Sequence, residues 1–164
     1  MSAIFNADEV FEMAEQIERN GRRFYQRAAQ QTADSSVKAV FDRLADMESD
    51  HEALFGEMRA KAAKEGLPRV EYDPNLDVPH YLQAAADTHV FNVHKDLAVT
   101  LTGRESTEAV LRLAIEFEKD TVVFFLGLKE LVSQDLGKDK VERLIREEMS
   151  HITILTTHLR SLQR

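Results

Sequence analysis

Two short segments, Met47-Glu48-Ser49-Asp50-His51 and Glu147-Glu148-Met149-Ser150-His151, each set a carboxylate three residues ahead of an imidazole. Residues three apart on an α-helix are surface neighbours, so each pair presents oxygens and a ring nitrogen on one face. Imidazole and carboxylate together can hold iron, manganese or zinc. One Glu-x-x-His carries little weight in a chain with 29 acidic residues. The second copy, placed 100 residues after the first, carries much more.

The same offset holds elsewhere. Ala14, Ile17, Glu18, Phe24 and Tyr25 recur as Ala114, Phe117, Glu118, Phe124 and Phe125, and Leu44 and Leu54 recur as Leu144 and Ile154. Each half therefore carries a further Glu thirty residues before its Glu-x-x-His. An internal repeat of a two-helix unit accounts for this.

The elements that must position these residues follow from periodicity and capping. Asn6, with Glu9 three residues later, predicts the start of a first helix running to about Gln31. Its apolar positions Val10, Ala14, Ile17, Gly21, Phe24 and Ala28 alternate three and four apart, with Glu18 on the edge of that face beside Phe11 and Tyr25. Asp34-Ser35-Ser36 can cap a second helix reaching about Glu65, where Gly66 and Pro68 are stop signals. Its stripe Val37, Phe41, Leu44, Glu48, His51, Phe55 and Met58 includes both metal-binding candidates.

Residues 66 to 105 hold all three prolines and, from Tyr81 to Leu101, a weaker helical pattern. They are expected to form a crossover with a short extra helix, long enough to let the third helix run parallel to the second. The third helix, about Ser106 to Val132, places Leu111, Ala114, Glu118, Val122, Phe125 and Leu128 on its apolar face and leaves Glu116 off it. A turn at Gln134 to Lys138 leads into a fourth, with Val141, Leu144, Glu148, His151, Leu155, His158 and Leu162 in line. The expectation is an all-α, ferritin-like four-helix bundle with one long crossover.

Composition narrows the functional classes. With 164 residues and 43% hydrophobic content, one domain spanning 1–164 can bury a continuous core. A formal charge of -8 without a basic helix face argues against nucleic-acid and anionic-membrane partners. The run Val122 to Leu128 is too short to span a bilayer, and MSAIFNADEV lacks the pattern of a secretory signal, so a cytoplasmic location is expected. Having no Cys excludes thiolate metal sites and thiol catalysis within these residues.

Through AEQIERNGRRFY with MESDH in the first half, and AIEFEKDTVVFF with EEMSH in the second, the chain resembles the rubrerythrin branch of the ferritin-like superfamily. The resemblance implies a centre of two iron ions, with manganese or zinc as substitutes. It implies that Glu18 and Glu118 are terminal ligands, that Glu48 and Glu148 bridge the metals, and that His51 and His151 bind one metal each. Charge counting agrees independently. Four buried carboxylates without cations repel one another and lose hydration, at a cost of several kcal/mol per ion, and raised pKa values are expected for them. The alternative is a metal-free bundle whose Glu and His pair within the core.

The departures from the family matter too. Typical rubrerythrins carry a rubredoxin-like iron–thiolate domain, and this chain has neither Cys nor residues to spare for one, so an external electron donor is expected. Thr121 stands where rubrerythrins place an additional Glu. Gly21, at the equivalent place in the first helix, either leaves room for a small oxidant or allows close helix packing. Metal-bound His commonly donates its second N–H to a carboxylate or carbonyl, and Glu147 is the candidate for His51, whereas Met47 offers His151 nothing equivalent. Tyr25, near Glu18, is expected to pack in the core, with a hydrogen bond to the centre or a redox-active phenol as the alternatives. His158 lies roughly 10 Å beyond His151 along the helix, too far for the same centre, and His80, His89 and His94 are expected to be structural or solvated. The functional expectation is a di-iron oxidoreductase reacting with dioxygen or hydrogen peroxide, of ferroxidase or peroxide-reductase type and dimeric as such proteins often are. The alternative is an iron-binding, iron-storage or iron-sensing protein without turnover.

Overall fold

Capping chemistry divides the chain close to where the periodicity does. The computed structural model describes residues 7–65, 80–82, 84 and 97–162. Its first two helices are α1 (Ala7–Gln31) and α2 (Ser35–Lys64), joined by a short turn. Asp34 closes that turn: one carboxylate oxygen accepts from the backbone N–H groups of Ser36 and Val37 at 2.9 and 3.1 Å, satisfying two of the donors a helix start leaves open. Lys61 and Lys64 complement the negative end of the helix dipole in the last turn of α2. Ser106 caps α3 (Thr107–Leu131) by accepting from the Ala109 N–H at 3.1 Å. α4 (Lys138–Ser161) starts after Gly137, whose φ of 104° is the left-handed conformation that a side chain makes unfavourable.

Among the described residues there is no strand, and the molecule is an all-helical bundle. α1 packs along α2 and α3 along α4, and the two hairpins meet through α1 against α3 and α2 against α4. Phe11, Phe24, Phe41, Phe55, Phe117, Phe124 and Phe125 are at most 1% exposed. Each such burial removes enough apolar surface from water to contribute about 1.5–3 kcal/mol. Phe55 meets Phe125 with ring centroids 5.0 Å apart, tying one hairpin to the other.

The crossover docks on this frame at two described places. Residues 80–82 and 84 are helical, which supplies the short extra helix expected there. Tyr81 donates its hydroxyl proton to the Val123 carbonyl at 2.7 Å, and its ring lies so close to Gly127 that an added Cβ would stand 2.6 Å from it. Further on, Leu97–Thr100 forms a single 3-10 turn, and the Leu101 carbonyl accepts from Gln31 and Arg27 of α1 at 3.3 and 3.4 Å. The Asn6 cap, the Gly66 and Pro68 stops, His89 and His94 lie outside the described residues.

One stripe needs correction. At the end of α4 the core takes Leu159, while His158 is half-buried and Leu162 is 41% exposed. A step of four from Leu155 stays with the buried side there, and the step of three to His158 drifts away from it, because 3.6 residues per turn does not match a fixed alternation.

Candidate metal centre

The six residues singled out by the repeat meet inside the bundle. Glu18 comes from α1, Glu48 and His51 from α2, Glu118 from α3, and Glu148 and His151 from α4, and none is more than 3% exposed. They form two overlapping groups, Glu18, Glu48, His51 and Glu148, and Glu48, Glu118, Glu148 and His151, with the donor atoms of each group within 4.8 Å of one another. Glu48 and Glu148 belong to both groups.

Glu148 lies between the two histidines. One Glu148 oxygen lies 2.8 Å from His51 Nδ1 and the other 2.8 Å from His151 Nδ1. His51 Nδ1 is also 3.6 Å from Glu18, and His151 Nδ1 is 3.4 Å from both Glu48 and Glu118. These are contacts without the alignment of hydrogen bonds. Both oxygens of Glu18 and Glu148, one each of Glu48 and Glu118, and Nδ1 of both histidines are buried with no hydrogen-bond partner among the described residues. Buried polar atoms are ordinarily satisfied. So many donor atoms left open and turned toward one another fit two cations, which would both satisfy and neutralise them.

Electrostatics without cations shows the same strain. Burial raises the Glu18 and Glu118 carboxyls well above the ordinary range, and the charges of Glu48 and Glu148 push in the same direction. Glu148 departs from the expected rise. Burial alone would raise it too, but His151 and His51 on either side hold it below the usual carboxylate value. Burial would depress His51, yet the carboxylates of Glu148 and Glu18 push it up to about 12. His151 is raised for the same reason, by Glu118, Glu148 and Glu48. The sequence reading counted the carboxylates and their mutual repulsion and left out the two imidazoles packed among them.

Several neighbours complete the site. Tyr25, fully buried, donates its hydroxyl to Glu118, not to Glu18, its neighbour on the same helix. Burial and the Glu118 charge raise the phenol further, keeping it protonated. Glu147 lies 2.8 Å from His51 Nε2, the cross-bundle contact expected of it. Arg143 stands behind it, 3.4 Å from the other Glu147 oxygen; the sequence reading missed this residue, although the i,i+4 spacing was there to be read. A cleft of about 300 Å³ lined by Met47, Asp50, His51, Leu54, Arg143 and Glu147 borders the centre on this side.

Gly21 resolves in favour of close packing. A Cβ there would stand 2.8 Å from the Phe117 ring and 3.3 Å from the Glu48 carboxyl carbon, so the space is already filled. Thr121 is buried and bonds the Phe117 carbonyl of its own helix at 3.2 Å. Glu116 is exposed and pairs with Lys119 at 2.7 Å, outside the centre as expected. His158 belongs to a separate groove with Val40, Arg43, Leu44, Thr153, Ile154 and Thr157, and His80 is exposed.

Comparison with known proteins agrees with this architecture. The rubrerythrin family model matches residues 9–159. No curated protein matches the chain by sequence. Among solved structures, a crystal structure described as a ferritin-like diiron-carboxylate protein from Thermotoga maritima aligns with a TM-score of 0.67 and 22% identity over 95% of both chains. That likeness shows the ferritin-like fold. With the family model covering nearly all of α1 through α4, the chain belongs to the rubrerythrin family.

Proposed function

We propose that this protein is a di-iron carboxylate oxidoreductase that reacts with dioxygen or hydrogen peroxide, built as a single domain over residues 1–164. Glu18 and Glu118 serve as terminal ligands, Glu48 and Glu148 as bridges, and His51 and His151 as one nitrogen ligand for each ion. The observation that carries the proposal is the convergence of these six buried residues with their donor atoms left unsatisfied. Two iron ions held by these six residues would supply the redox chemistry toward the oxidant. The chain's own residues do the rest. The surrounding Phe side chains exclude bulk water, Glu147 orients His51, and the Tyr25 hydroxyl supports Glu118. Manganese or zinc suit the same nitrogen and oxygen donors.

Re-reduction after turnover draws on a donor outside these 164 residues, which hold no Cys for a thiolate centre. We place the protein in the cytoplasm as a homodimer. Among the described residues no helix is long and apolar enough to cross a membrane, and the net charge of -8 disfavours nucleic-acid partners.

A second reading, iron binding, storage or sensing without turnover, is favoured by one observation. Around Gly21 and Thr121 the packing is closed, which restricts the space for an oxidant. Anaerobic ferrous titration followed by exposure to air and to peroxide separates the two. Oxidation of many equivalents per chain identifies catalysis. Uptake that stops at two identifies a filled binding site.

A further inference from the structure

The two histidines differ in what surrounds their outer nitrogens. His51 turns Nδ1 toward the carboxylate cluster and presents Nε2 to Glu147 at 2.8 Å, with Arg143 on the far side of that carboxylate at 3.4 Å. His151 also turns Nδ1 inward, but its Nε2 is buried with no hydrogen-bond partner among the described residues. The repeat explains the difference. Arg143 has a counterpart in Arg43, but the residue 100 positions before Glu147 is Met47, whose thioether is only a weak, uncharged acceptor.

Resting on the reading of the six residues as metal ligands, we infer that the two metal positions are unequal: Glu147 is a positioning residue that makes the His51 position the tighter one. A carboxylate accepting the Nε2 proton fixes the tautomer that leaves the Nδ1 lone pair pointing inward, holds the ring orientation and makes the nitrogen a stronger donor. His151 has to adopt that tautomer without help, with a buried N–H unmatched. Loss of such an outer partner typically weakens metal binding about 10–100-fold, so a separation of that order is expected between the two positions. The His51 position also borders the cleft lined by Met47, Asp50, Leu54, Arg143 and Glu147, whereas His151 is sealed from solvent. The weaker position is therefore the one whose histidine is fully buried.

The test is anaerobic titration of the metal-free protein with cobalt(II), followed by calorimetry and by the visible bands that report cobalt coordination. Two events separated by about 10–100-fold are expected. Glu147→Ala should weaken the tighter event by about 10–100-fold and leave the other unchanged. Glu147→Gln, which keeps an oxygen able to accept the N–H, should recover part of the loss. Glu147 is half-exposed and Arg143 more so, so Arg143→Ala is a second variant that leaves the core intact; a smaller loss confined to the same event is expected. Two events of equal affinity, or a Glu147→Ala effect on both events or neither, overturns the inference and leaves the two-metal reading standing. Absence of any cobalt binding overturns both.

Discussion

The imidazole rings of His51 and His151 lie nearly parallel, 10° apart in plane with centroids 5.7 Å apart, and both oxygens of Glu148 fit between their inward nitrogens. Two cationic rings would not choose this arrangement in isolation, since like charges repel strongly in a dry interior. Under the two-metal reading proposed above, Glu148 serves both centres and each histidine serves one of them.

Glu148→Ala or Glu48→Ala should therefore abolish binding of at least one metal and all oxidase activity, because a bridging carboxylate serves both positions. Glu116→Ala should leave metal content unchanged and shift stability by less than about 0.5 kcal/mol, as an exposed residue does. Metal analysis of the purified variants checks both. Loss of metal in Glu116→Ala with retention in Glu118→Ala would contradict the assignment of α3.

Gly21→Ala tests the packing beside Glu48. The new methyl would press on the Phe117 ring and approach the Glu48 carboxyl carbon. Overpacking of this kind costs about 1–3 kcal/mol, against a gain in helix propensity of up to about 1 kcal/mol. Net destabilisation in denaturant melts is expected, together with weaker metal uptake. A variant as stable and as metal-replete as the parent would show that the space is easily yielded.

Tyr25→Phe removes the hydroxyl that Glu118 accepts from. A buried acceptor left without its partner costs about 1–3 kcal/mol. That loss should appear in the metal-free protein and shrink once metal is loaded, because a cation can satisfy the same carboxylate. Melting curves of both forms measure it.

The pH dependence of stability should differ in sign between the metal-free and loaded forms. Glu18 and Glu118 are raised above 4.5, so their contribution is complete below that pH and is lost as the pH rises through their folded values. His51 and His151 are raised above 6.5, His51 to about 12, so their contribution declines from near neutrality upward. Glu148 is lowered, and its contribution is lost only on the acid side of 4.5. Metal-free protein should accordingly be most stable under mildly acidic conditions and weaken toward neutral and alkaline pH. Loaded protein should weaken as the pH falls, since protons compete with the metal for the ligands. Thermal melts from pH 5 to pH 8 decide the matter, and parallel trends in the two forms would count against a shared buried site.

Peroxide should be reduced slowly by the isolated loaded protein and rapidly when a small-molecule reductant is supplied. Fast repeated turnover without added reductant would contradict this and would mean that peroxide supplies its own electrons, by disproportionation to water and dioxygen.

The six central residues were legible because a 100-residue repeat and helical spacing together limit what chance can produce. The starts of α2 and α3 were legible for a related reason: Asp34 and Ser106 cap backbone N–H groups within a few positions of themselves. The outer environment was legible only in part. The Glu147 contact with His51 followed from the need of a histidine for a partner, but the place of Arg143 behind it went unread. That Tyr25 reaches Glu118 rather than Glu18, that Phe117 fills the space at Gly21, and that Glu148 lies between two imidazoles were decided by how α1 and α2 sit against α3 and α4. Spacing along one helix gives the face a residue occupies, which is a local property of the backbone. Which residues meet across helices depends on their relative rotation and separation, and those are set by packing the whole core at once. The sign of a buried charge's shift depends on those same distances, so Glu148 could be placed on the buried face by its spacing and assigned its charge state only by the folded bundle.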